Sequence, residues 1–157
     1  MLSRTHFVMS LLAGLVLMKS VSNPALFLVI VVVSSFIPDI DSYSSKIGKK
    51  FSSRVITAFT KHRGVIHSLF FLVLIGVILK FYSPLISLGF IIGYGIHLFG
   101  DLLTKQGLRI FYPFKFKIKG FIKTGGVAEN SLFIILGVAD IILISQAIFV
   151  NILNLLG

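Results

Sequence analysis

The sequence predicts an all-α fold: a polytopic membrane bundle of four to five apolar helices forming a single integral-membrane domain over residues 1–157. Three observations predict it. The chain is 56% hydrophobic with mean hydropathy +1.02, so it cannot assemble a water-facing exterior. Its apolar residues fall into five long runs separated by polar or basic segments. Lys and Arg are dense in alternate segments between the runs and sparse in the others, which is the charge pattern of a membrane topology.

The first run, Phe7 to Met18, is short for a span, and with Arg4 before it and Ser20 and Ser22 after it resembles a signal-peptide core. Ser20 and Ser22 do not form a clean Ala-x-Ala site, so the segment is read as retained. It pairs with the second run, Pro24 to Ile37, as a thin helical hairpin joined at Ser22, Asn23 and Pro24. Such a hairpin spans by tilt, by snorkelling of Lys19, or by local thinning of the bilayer. The third run is Val65 to Leu79. The fourth and fifth, Pro84 to Leu103 and Ser131 to Leu156, reach the roughly 20 residues needed to cross a hydrocarbon core of about 30 Å.

Between the second and third runs, residues Lys46 to Thr60 place Ile47, Phe51, Val55 and Phe59 one helical turn apart, with Lys49, Lys50 and Arg54 elsewhere around the helix. This pattern predicts a basic interfacial helix lying on the membrane surface. Between the fourth and fifth runs, Phe114, Phe116 and Ile118 alternate with Lys115, Lys117 and Lys119, which predicts a short strand-like cytoplasmic loop with one apolar and one basic face. With five spans, Arg4 and both long basic loops share one side, and only Lys19 and Lys80 lie on the other. The positive-inside rule makes the first side the cytoplasm of a multi-pass plasma (inner) membrane protein. The net charge of +10 raises nucleic acid as a partner, but the cations flank apolar spans, where anionic head groups and topology account for them. Nucleic acid is therefore not the first choice, and membrane lipid is.

The chain has no Cys, so any metal site must be built from His, Asp and Glu. On this topology every candidate falls at the cytoplasmic end of a run: His6, Asp39, Asp41, His62, His67, His97, Asp101 and Glu129. His97 and Asp101 are four apart on a helical run, so they stand one turn apart on one face and can ligate one ion or two adjacent ions. Thr104 continues that face and is positioned to orient a ligand or a phosphate oxygen, and Gly107 supplies a helix C-cap. Pro38-Asp39-Ile40-Asp41 is extended after its proline, so its carboxylates face different neighbours; a capping role for one is the alternative. In His62-Arg63-Gly64-Val65-Ile66-His67-Ser68, Gly64 permits close backbone approach and Arg63 offers a planar donor fork for carboxylate or phosphate. Glu129 is the weakest member and also suits a helix N-terminus. Asp140 lies too deep along the fifth run to share the site, and is expected to pair with Ser145, Gln146 or a residue on another helix.

With Thr5-His6, Pro38-Asp39-Ile40-Asp41, His62-Arg63-Gly64 with His67-Ser68, His97-Leu98 followed by Asp101, Thr104 and Gly107, and Pro113-Phe114, the sequence resembles the YdjM-like family over nearly its whole length. That family is described as LexA-regulated inner-membrane proteins and metal-dependent hydrolases, distantly similar to the zinc phospholipase C and P1 nuclease superfamily. The resemblance implies hydrolysis of a phosphoester, small or amphipathic, at a divalent metal, with zinc the first choice. No His follows His97, so one or two ions are expected rather than three. It further implies that His97, Asp101, His6 and one of His62 or His67 hold the metal and that Asp39 or Asp41 ligates or serves as general base. Arg63 assists at the phosphoryl group, and Ser68 and Thr104 contribute to substrate binding. Two other classes stay open: a non-catalytic membrane protein with a structural metal, which needs a closed coordination shell, and a metal transporter, which needs ligands near the bilayer midplane.

Overall fold

The computed structural model describes residues 1–39 and 63–156. Among them are five long helices: α1 (Ser3–Leu17), α2 (Pro24–Phe36), α3 (Leu69–Tyr82), α4 (Pro84–Leu102) and α5 (Val127–Leu156). The expected basic interfacial helix over Lys46 to Thr60 lies outside the described residues.

The helix starts follow from local chemistry. Asn23 accepts from the Leu26 amide at 3.1 Å and Pro24 takes the first helical position of α2, where its missing N–H is not needed. Ser83 and Pro84 repeat the device at the start of α4, with Ser83 Oγ accepting from the Ile86 amide. The run expected from Val65 to Leu79 is not continuous. A single turn, Arg63–Ile66, ends before His67, and Ser68 then caps α3 by accepting from the Phe71 amide at 3.2 Å. This break turns His67 out of the helical register of its neighbours.

α4 is the centre of the assembly, with α1, α2 and α3 packed against it, while α5 packs on α1. Two helices, α4 and α5, are long and apolar enough to cross a membrane. Most of the Ile, Val and Phe side chains of α5 are exposed, so they need an apolar phase outside the protein. Within lipid, helices are held by close backbone approach and hydrogen bonds rather than by the hydrophobic effect. The contacts are of that kind. At Gly93 a Cβ would lie 2.0 Å from the Val31 carbonyl oxygen, so α2 and α4 meet backbone to backbone there. Ser35 Oγ donates to Ser10 Oγ at 3.1 Å between α2 and α1, and Ser87 Oγ donates to the Gly76 carbonyl at 2.7 Å between α4 and α3.

The segment joining α4 to α5 forms no strand among the described residues. Two isolated bridges hold it, Leu108 with Ile118 and Thr104 with Ile122. The expected separation of an apolar from a basic face fails at Phe114 and Phe116, which are exposed together with Lys115 and Lys117. The aliphatic residues of the segment take the inner positions instead: Leu108 packs with Leu72, Phe90, Tyr94 and Leu98. Gly107 is not the C-cap expected of it: Leu103 caps α4, and Gly107, at φ +64, turns the chain four residues later.

Candidate metal centre

Five of the predicted residues meet at one end of the bundle: His6 from the first turn of α1, Asp39 just after α2, His67 from the break before α3, and His97 and Asp101 from the last turns of α4. The three histidines are buried, and Asp39 and Asp101 are the more open members, 28% and 20% exposed. The carboxylates therefore form a rim over a floor of imidazoles.

The separations form a continuous series. His6 Nε2 lies 3.3 Å from Asp101 Oδ1, and His97 Nε2 lies 3.5 Å from Asp101 Oδ2 and 3.8 Å from Asp39 Oδ1. His67 Nε2 lies 4.0 Å from the same Asp39 oxygen. All exceed the roughly 3.2 Å of a good N–H···O bond. They bracket or slightly exceed the ligand–ligand edge of a tetrahedral site, about 3.4 Å when bonds are about 2.1 Å. Two triads, His6 with Asp39 and His97, and His67 with His97 and Asp101, bring their ligand atoms within 4.8 Å of one another.

His97 is common to both triads, and the fold decides which of its nitrogens points inward. Its Nδ1 lies 2.7 Å from the Ser35 carbonyl oxygen, which only accepts, so Nδ1 carries the proton and donates. Nε2 is left as a buried lone pair with no hydrogen bond. The α2–α4 contact at Gly93 and Val31, one turn earlier on each helix, brings Ser35 into range. On the other side of His97 the His6 ring stacks at 4.0 Å between centroids and 15° between planes. Gly100 makes room for it, because a Cβ there would lie 3.0 Å from His6 Cε1.

The other predicted residues are placed differently. Asp41 and His62 lie outside the described residues, and of Arg63 only the backbone is described. Ser68 and Thr104 are buried and close helix ends: Thr104 Oγ1 donates to the Asp101 carbonyl at 2.8 Å. Glu129 is fully buried and accepts from the Leu2 amide at 2.7 Å and the Gly125 amide at 2.6 Å, so it clamps the start of α1 to α5 and is in neither triad. The expected pairing of Asp140 with Ser145 is not formed, since Ser145 Oγ donates to the Ile142 carbonyl instead. Buried Asp140 has no hydrogen-bond partner among the described residues.

Residue types alone do not reveal the Ser35 carbonyl, the Met1 amino group, which also reaches Asp101, or the glycine that seats the His6 ring. A backbone carbonyl leaves no trace in residue types. Gly89, Gly93 and His97 at intervals of one turn did offer a signal, a small-residue stripe leading to a ligand.

A family model described as YdjM inner membrane protein matches residues 1–156. The uncharacterized protein YvsG of Bacillus subtilis (strain 168) is 34% identical over 114 residues, 69% of this chain and 71% of that protein. No solved structure matches.

Proposed function

Because this chain belongs to the YdjM inner membrane protein family, we propose that its five-residue cluster is a divalent-metal centre, zinc by first choice, serving phosphoester hydrolysis at the cytoplasmic membrane surface. One observation carries the reading. Five residues from four separate parts of the chain aim ring nitrogens and carboxylate oxygens at one another at 3.3 to 4.0 Å, spaced as co-ligands rather than as hydrogen-bond partners.

His97 Nε2 is the common ligand, and a single available nitrogen serves a single ion. His6 and His67 flank it, and Asp39 and Asp101 close the open side. When bound, the ion supplies Lewis acidity toward a phosphoryl oxygen and activates water near neutral pH. The protein supplies the rest. Ser35 fixes the His97 tautomer, the buried imidazoles keep water from the floor, and the rim carboxylate not engaged by metal accepts the proton of the attacking water. Arg63 keeps the role its sequence motif implies, a planar donor fork for a phosphoryl group. A phospholipid or another amphipathic phosphoester suits a centre at the end of a membrane-spanning helix, and the distant likeness to the zinc phospholipase C superfamily points to the same chemistry.

In detergent or vesicles the protein is expected to hydrolyse model phosphodiesters only when metal is present, with activity lost on chelation and restored by zinc. Activity that survives both chelation and His97→Ala would sink the hydrolase reading while leaving the metal centre to be judged by metal content. The centre is placed in the cytoplasm because Lys105, Arg109, Lys115, Lys117, Lys119 and Lys123 follow α4 on the same side. A phosphatase reporter fused after Lys119 is therefore expected to be inactive and a fluorescent-protein reporter bright; the reverse pattern overturns the sidedness.

A further inference from the structure

The segment between α4 and α5 sorts its apolar residues into two sets. The aliphatic set is used internally: Leu108 is in the core, Ile110 packs against it, and Ile122 is buried. The backbone is clamped at both ends, with Leu69 donating to the Ile110 carbonyl at 2.8 Å and Ile122 donating to the Leu103 carbonyl at 2.9 Å. Gly120 lies so close to the backbone of Leu102 and Leu103 that a Cβ would meet the Leu103 carbonyl oxygen at 2.2 Å. The aromatic set is turned outward. Phe111, Phe114, Phe116 and Phe121 are 50%, 71%, 66% and 76% exposed. A clamped segment whose aliphatic residues already complete the core has no folding reason to display four phenyl rings.

The charges around those rings are of one sign. Between Asp101 and Glu129 there is no acidic residue, while Arg109, Lys115, Lys117, Lys119 and Lys123 are all exposed beside the rings. A second aromatic pair, Phe81 and Tyr82, is exposed at the opposite end of α4, at 86% and 83%. The nineteen residues of α4 separate the two groups. At 1.5 Å per residue that is about 28 Å, close to the roughly 30 Å of a hydrocarbon core. Aromatic residues at both ends of one core thickness, with cations concentrated at one end, describe an interfacial belt.

We propose that residues Arg109 to Lys123 form a rigid anchor that inserts Phe114 and Phe116 into the interfacial region of an anionic lipid bilayer, with Lys115, Lys117 and Lys119 on the phosphate head groups. The anchor stands on the membrane placement and is independent of the metal reading. It holds the end of α4 that carries His97 and Asp101 at the depth of the head groups.

The chain has no Trp, so Phe114→Trp and Phe116→Trp each introduce a sole tryptophan that can be excited selectively over the tyrosines. Each purified variant is reconstituted in phosphatidylcholine vesicles and in equal parts phosphatidylcholine and phosphatidylglycerol, with and without acyl-chain bromination. The expected result is blue-shifted emission that brominated lipid quenches, more strongly in the anionic vesicles. Lys115→Gln, Lys117→Gln and Lys119→Gln together should reduce that quenching to the level in neutral vesicles. Solvent-like emission in both compositions overturns the anchor. So does blue-shifted emission that brominated lipid fails to quench, which would mean that protein covers the rings. Equal quenching in the two compositions overturns the head-group contact. Metal content measured on the same samples should be unchanged, which separates a failure of the anchor from a failure of the metal centre.

Discussion

His97→Ala is expected to weaken divalent-metal binding by at least about 100-fold, the upper range seen even for second-shell losses, and His97→Ala with Asp101→Ala to abolish it. The reason is positional. His97 is the member shared by both triads, and its Nε2 is the one lone pair whose orientation the backbone sets, through the 2.7 Å contact of Nδ1 with Ser35. Loss of a peripheral member, His6 or His67, leaves four of the five donors and should weaken binding less. Metal content by mass spectrometry and competition with a chromophoric chelator measure both, and circular dichroism checks that the variants keep their helices. Stoichiometric metal retained by the double variant would refute the centre.

The second large effect compares one chemical change at two sites on the same helix. At Gly93 an added Cβ would lie 2.0 Å from the Val31 carbonyl oxygen and 2.8 Å from its carbon, whereas at Gly95 nothing lies within 4 Å. Backbone cannot rotate away as a side chain can, so Gly93→Ala must separate α2 from α4, at a cost near the upper end of the range for overpacking, about 3 kcal/mol. Gly95→Ala meets open space and gains helix propensity of up to about 1 kcal/mol. The separation should also pull Ser35 from His97 and lower metal affinity roughly 10- to 100-fold, as loss of an outer-shell partner does. Thermal unfolding in detergent and metal titration test both variants. Equal unfolding temperatures would show that the α2–α4 crossing does not hold the fold.

Much of the site was legible because metal chemistry and membranes both restrict residue type. Nine acidic and histidine residues stand in a chain that is 56% hydrophobic, and eight of them, all but Asp140, mark segment ends. The four-residue step from His97 to Asp101 survives folding because helical spacing is local. His67 shows where local reasoning stops. Its placement depends on a break after Ile66 that an unbroken apolar run does not announce, and on Ser68 capping the helix that follows. Glu129 shows it again: a carboxylate before a helix suits a ligand and an N-terminal clamp equally, and only the amides of Leu2 and Gly125 decide for the clamp. The alternation of Phe and Lys after Pro113 has the period of a strand, yet no strand among the described residues accepts it, so the pattern serves the exterior instead.

By itself the sequence determined that the chain is helical and membrane-bound, with its cations gathered in a few segments between apolar runs, and that nitrogen and oxygen are its strong ligand atoms. These properties are set by composition and by spacing within single segments. The tertiary structure alone decided that His6, Asp39, His67, His97 and Asp101 share one place, and which nitrogen of His97 faces it. Those depend on the approach of α2 to α4 at Gly93, a contact between residues 62 positions apart, and no local propensity encodes the distance between two backbones.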